Sequence, residues 1–278
     1  MTAHAHVHYG PRLVAHPTGT LRAALLIKPT PELETVSPLQ GEPGAIFKRA
    51  LEQHDVFAGT LRYFGVDVSV IDPPDQAPLA CAAGDLAVCF EHGAVIMQPS
   101  ALDRRAEVEL LESEFIRMDI PLAGHIALPG LLDGTDVLLA GNTAFIGKTK
   151  RSNALGRSGF AEIARANGYD AVEVAVDPSV RSLRSVVNAV ASDTLVIAQN
   201  RVDMSAFSGF KLLAVELGAE LGAGVFPLGE RRVIADLRYR PTFEMLHKNR
   251  VAVEAIDLYD FGKVGLVPSN LVLSIKRS

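Results

Sequence analysis

The chain has 278 residues, of which 48% are hydrophobic and 21% charged, with a formal net charge of −5. That length supports one large or two small domains with a substantial core, and the composition excludes a disordered chain and a disulfide-stapled miniprotein. Basic residues are scattered rather than clustered, so the electrostatic footprint of a nucleic-acid partner is missing.

Residues 1–20 read as an N-terminal arm, with His4, His6 and His8 in alternation and Pro11 and Pro17 behind them. Alternating histidines can bind a metal, but an unanchored terminus holds one poorly. No basic stretch leads into an apolar run there, and no window reaches the roughly 18 apolar residues of a membrane span. The expectation is a cytoplasmic protein with no membrane partner.

From 21 to 278 the chain reads as one domain. LRAALLIKP (21–29) is a buried strand, 45–64 an amphipathic helix and VDVSVI (66–71) a second strand. Strands at 85–90 and 94–99 precede a helix at 102–118; strands at 136–140 and 143–147 precede a helix at 153–167 and a strand at 171–176. A fourth unit reads as a helix near 181–191, a strand at 194–199, a helix near 206–216 and a short strand at 223–228. The fifth reads as a strand at 231–236, a helix at 240–249 and strands at 251–257 and 271–276. Five strand–helix units of about 45–55 residues indicate a repeat built in a ring or array. Tight turns at 91–93 and 141–142 disfavour the doubly wound parallel sheet that is the main alternative. Cys81 and Cys89 lie among Ala, Val and Phe and read as buried thiols rather than a redox pair.

Several motifs carry a resemblance. LRAALLIKPTPELE (21–34) with EQHDVFAGTLRYFGVDV (52–68) resembles the opening of arginine deiminases. GDLAVCF (84–90), QPSALDRRAE (98–107) and LDGTDVLLAGNTAFIGKTKRSN (132–153) resemble stretches of dimethylarginine dimethylaminohydrolases. The chain is thus similar to the guanidino-group-modifying (pentein) superfamily over nearly its whole length. The resemblance implies an α/β fold, a five-bladed propeller of pseudo-symmetric ββαβ units around a polar channel. It places Asp85 and Asp133 where carboxylates receive a guanidinium, whose several N–H donors demand such acceptors. It places Arg104 and Arg151 where forked donors grip the carboxylate end of the substrate, with Gly134 and Thr135 beside them.

The departures bear on mechanism. Relatives use a Cys nucleophile near the carboxyl end and a His general acid/base; here Asn270 and Ser182 align with them, and Gly84 stands where a further carboxylate is found. Both cysteines belong to the second blade, away from the missing thiol. A thiolate is needed when the leaving group is poor. With a better one, such as nitrite or halide, water activated by Asp133 or Asp85 can displace it directly while Ser182 and Asn270 orient the water or the ring. In this the chain resembles a divergent branch of the superfamily, the nitroimidazole nitrohydrolases, and the expected partner is a small, planar, nitrogen-rich molecule such as 2-nitroimidazole.

Other readings stand beside this one. The chain is alternatively an inactive propeller that binds an arginine-like ligand or a partner protein, with Ser182 and Asn270 as drift. Asp133 in DGTD also reads as a turn cap, Arg104 and Arg105 as solvated charges, and His54 as a core histidine. His92 and His125 are bases only if the channel reaches them. Without H-E-x-x-H, paired cysteine spacing or G-x-x-x-x-G-K-[ST], no metal or other cofactor is expected. The apolar composition makes a homodimer the expected assembly.

Overall fold

The computed structural model describes residues 9–278, so His4, His6 and His8 lie outside the described residues. The first unit contains β1 (Leu21–Ile27), α1 (Phe47–Tyr63) and β2 (Asp67–Ile71), and the second β3 (Ala87–Cys89), β4 (Ala94–Ile96), α2 (Arg105–Arg117) and β5 (Leu122–His125). The third holds β6 (Val137–Ala140), β7 (Thr143–Lys148), α3 (Ala154–Ala166) and β8 (Asp170–Ala175), and the fourth β9 (Val187–Ala191), β10 (Thr194–Ile197) and β11 (Lys211–Ala214). The fifth has β12 (Phe226–Gly229), β13 (Arg232–Asp236), α4 (Arg240–Lys248) and β14 (Ala252–Ile256), after which β15 (Leu273–Arg277) ends the chain.

These strands form five three-stranded sheets, β15-β1-β2, β3-β4-β5, β6-β7-β8, β9-β10-β11 and β12-β13-β14. In each, the first two strands pair antiparallel and the last two parallel. A parallel pair needs a crossover, which α1 to α4 supply in four units. The fourth unit uses a short 3-10 turn, Met204–Phe207, whose Phe207 ring lies 4.7 Å from that of Phe145.

The fold is the expected five-bladed α/β propeller. Its core lies in the seams between neighbouring blades. Ile27 and Leu273 pack with Ala87 and Ile96, Val88 and Val95 with Val137 and Ile146, and Leu138 and Phe145 with Val187 and Leu195. Phe226 and Ile234 then meet Leu26 and Phe57, which returns the ring to its start.

Four expectations are corrected. The short strand read at 223–228 as the end of the fourth unit is β12, which opens the fifth blade by pairing antiparallel with β13. The segment 181–191 is a 3-10 turn followed by β9, buried on both faces, so its unbroken apolar run carries no alternation to separate it from a helix. The segment 206–216 contains β11, held parallel to β10 and placed by that pairing. β15 belongs to the first blade and not the fifth, because it pairs antiparallel with β1. Of the N-terminal arm, the part from Tyr9 onward is held in place. Tyr9, Leu13 and Val14 are buried, the Leu13 and Val14 amides donate to Glu91 and Phe90, and the Arg277 amide donates to the Leu13 carbonyl.

Since β15 closes the ring, deleting 273–278 is expected to abolish the cooperative thermal transition in calorimetry. Leu217→Ala, at a side chain that is 74% exposed, should stay within about 0.5 kcal/mol of the parent.

Candidate functional site

Every blade's first strand is preceded by a short helical turn: Ala83–Asp85, Gly134–Asp136, Leu183–Ser185, Glu220–Ala223 and, before β15, α6 (Pro268–Leu271). The ring sets these turns side by side, which is how residues distant in sequence meet. Glycine permits the closest approach. A Cβ on Gly134 would lie 2.5 Å from the Gly84 carbonyl oxygen, and one on Gly84 would lie 2.8 Å from that of Ser269. Gly84 therefore leaves no room for the further carboxylate that relatives place there.

Asp85, fully buried, is the centre of the cluster. Arg104 Nη1 donates to Oδ2 at 2.6 Å and Arg181 Nη2 to the same oxygen at 3.0 Å, while Arg151 Nη2 lies 3.5 Å away. Thr135 Oγ1 donates to Oδ1. Burial works to raise the carboxyl's pKa, but the Arg104, Arg181 and Arg151 guanidinium groups outweigh it and hold Asp85 well below the usual carboxylate range.

Arg104 continues inward. It donates to Glu107 at 2.7 and 2.9 Å and to the carbonyls of Leu79 and Ala82, with 1% of its surface exposed. Arg151 Nε and Nη2 bind Asp133 Oδ2, and the Ser100 amide reaches Oδ1 only at 3.4 Å. Burial, and then the Asp85 charge, push Asp133 upward. Asp136, fully buried, accepts Thr149 Oγ1 at 2.6 Å and the Leu183 amide at 3.0 Å, and burial raises it to about 8.

Ser182 and Asn270 do come together, with Asn270 Nδ2 at 3.4 Å from Ser182 Oγ. Ser182 also pairs with Ser185 at 2.9 Å, and Asn270 Oδ1 accepts the Val267 amide at 3.0 Å. Both are fully buried and neutral.

Outward from the cluster lies a cavity of about 370 Å³ whose polar wall is Lys150, Arg151, Arg181, Arg201 and Glu220. Arg201 is paired with Glu220 at 3.2 Å and lies 3.7 Å from Asp177. The wall is therefore cationic.

The structure thus brings Asp85, Asp133, Arg104 and Arg151 into one network and corrects several roles. Arg104 and Thr135 face inward on Asp85, and Gly134 packs backbone on backbone; of the residues predicted from sequence only Arg151 lines the cavity, while Asp85, Asp133, Ser182 and Asn270, like these three, are not among its lining residues. Arg105 is the solvated member of its pair. His92 and His125 are exposed, the latter 3.2 Å from Glu112, and burial lowers His54 to about 4. Cys81 and Cys89 are free, buried and pushed by burial up to about 12, unfit as nucleophiles. Arg181, Glu107 and Asp136 were not singled out from sequence. Glu107 was legible as the i+3 partner of Arg104, whereas only the fold brings Arg181 to Asp85. Among the described residues no helix is long and apolar enough to cross a membrane, and no group of three His, Cys, Asp or Glu is placed to hold a metal.

Residues 34–207 match the family model described as N,N dimethylarginine dimethylhydrolase, eukaryotic. A dimethylarginine dimethylaminohydrolase of Streptomyces coelicolor is 31% identical over 216 residues, 77% of this chain and 81% of that one. That of Pseudomonas aeruginosa is 25% identical over 218 residues, covering 78% and 85%. A solved structure of the Pseudomonas aeruginosa enzyme complexed with citrulline superposes with a TM-score of 0.83 at 22% identity, covering 91% of this chain and 99% of that one. An amidinotransferase from Microseira wollei has a TM-score of 0.81 at 14% identity, covering 96% and 97%.

Removing Arg104 strands the buried Glu107 and takes one of three guanidinium groups from Asp85, so Arg104→Met is expected to lower stability by about 3–5 kcal/mol in urea denaturation. The native Asp136 carboxyl stays neutral up to about 8, while an unfolded Asp titrates near 4. The unfolded chain therefore binds fewer protons between those values, and stability falls as pH rises through them. Asp136→Asn should remove that contribution, so that the variant gains on the parent steadily from pH 5 to pH 8.

Proposed function

We infer the function of this chain from its family and from the wall of its cavity: it belongs to the dimethylarginine dimethylaminohydrolase family, hydrolases acting on carbon–nitrogen bonds, and its own reaction is a direct attack of water on the guanidine-like carbon of a small planar heterocycle such as 2-nitroimidazole. One observation carries this reading. Asp85 and Asp133, the carboxylates that the resemblance assigns to a substrate guanidinium, already receive the chain's own Arg151 and Arg181. An incoming guanidinium would meet like charge at Lys150, Arg151 and Arg181. A neutral ring bearing a nitro group meets N–H donors instead.

The step balances without a covalent intermediate. Water forms the new C2–O bond, its proton passes to Asp133, the C2–N bond to the nitro group breaks, and nitrite leaves with the bonding pair, giving the imidazolone. Asp133 suits the base because burial and Asp85 raise it and because Oδ1 is its less engaged oxygen. Substrate entry draws the Arg151 guanidinium from Asp133 toward the nitro oxygens, which frees the base and stabilises the departing anion together. Ser182 and Asn270, neutral and mutually bonded, stand where relatives place a His and a Cys. The stretch 21–278 acts as one catalytic domain.

The saturation of Asp85 by three guanidinium groups equally favours a second reading, an inactive propeller that binds a small ligand. Nitrite release from 2-nitroimidazole, run beside citrulline release from arginine and dimethylarginine, separates the two. Nitrite without citrulline is expected, and Asp133→Asn should lower kcat by about 10²–10⁴-fold. Ligand binding without either product moves the weight to the inactive propeller.

A further inference from the structure

The first strands of the five blades, β3, β6, β9, β12 and β15, face one another along the propeller axis and enclose a second cavity of about 80 Å³. It shares no lining residue with the cationic chamber. Most of its wall is apolar, from side chains such as Val88, Val137 and Leu138, and Val14 and Pro17 of the N-terminal segment lie across it.

Two guanidinium groups enter this space. Arg277, only 3% exposed, donates to the Gly19 carbonyl at 3.0 Å, the Pro227 carbonyl at 2.7 Å and Ser274 Oγ at 3.1 Å, and its guanidinium carbon lies 5.3 Å from the centre of the Phe226 ring. Every one of these partners is neutral. Arg184, which is part-buried, reaches Asn188 Oδ1 through Nε at 3.4 Å, and its terminal nitrogens make no hydrogen bond among the described residues. Among the described residues no carboxylate pairs with either arginine there. Asp85 attracts Arg184 from a distance, but its oxygens are committed to Arg104, Arg151, Arg181 and Thr135.

The two cations also repel each other. Burial, and then Arg184, lower Arg277 to about 9, and burial lowers Arg184 to about 10. Buried charges in folded proteins are paired, because an unpaired ion in an apolar site carries a large desolvation penalty. Here two like charges share a space that has room for a water-sized ion with its own solvent.

We propose that the central channel is a binding site for a small inorganic monoanion, a halide or an ion of similar size, held between Arg184 and Arg277. The ion offsets one of the two positive charges and screens the repulsion between the arginines. Because Arg277 also holds the Gly19 carbonyl and exchanges backbone hydrogen bonds with Leu13 and Ala15, the site ties the N-terminal segment to the closing strand.

The test compares thermal midpoints of the whole chain in sodium chloride or bromide with those in sodium gluconate at equal ionic strength. The halide should raise the midpoint by several degrees and saturate, as ligand linkage requires. Arg184→Met should lose the halide response while being more stable than the parent in gluconate, since one unpaired charge is gone. Crystals grown in bromide should show anomalous density between the two guanidinium groups. Equal midpoints in halide and gluconate, an undiminished halide response in Arg184→Met, or no anomalous density in the channel would each overturn the proposal. If Arg184→Met does not fold, the parent's salt comparison and the bromide crystals decide alone.

Discussion

Asp85 carries a negative charge that water does not reach, and a carboxylate in that position persists only if cations come to it. They come from three places: Arg104 at the entrance to α2, Arg151 in the loop before α3, and Arg181 in the connection before β9. Meeting that one charge draws the mouths of the second, third and fourth blades together. Glu107 and Asp133 complete the set, so that three carboxylates and three guanidinium groups balance within the cluster. Gly84 and Gly134 are the steric counterpart, because the turns that carry these groups touch through their backbones.

From this clamp follows the character of the chamber. Here the chain's own arginines occupy the buried carboxylates, and Arg151 and Arg181 also line the chamber as cations. In the proposed reaction this cationic wall accepts an electron-rich or neutral planar molecule and stabilises an anionic leaving group. Deeper along the axis the balance fails in the other direction, with Arg184 and Arg277 facing each other among apolar strands. The propeller thus carries positive charge at two levels, one paired with buried carboxylates and one not.

Most of the architecture was readable in the residues. Strands such as 21–27, 67–71 and 143–148 announce themselves by apolar β-branched runs bounded by turns, and α1, α3 and α4 by their apolar stripes. In the fourth blade only β10 was readable, since β9 is buried on both faces and the crossover is a 3-10 turn in place of a helix. At the site, Asp85, Asp133 and Arg151 were found through their motifs. Which way Arg104 and Thr135 point was not, because a motif names a residue but not the side on which its partner stands.

By itself the sequence determined the propeller's repeat and the family of its chemistry, both properties of local pattern and residue type. The tertiary structure decided that β15 closes the first blade, that Arg181 reaches across 96 positions to Asp85, and that Arg184 and Arg277 share one cavity. Those are contacts between distant segments, and their energies depend on burial and on the distance between charges, which exist only once the ring has closed.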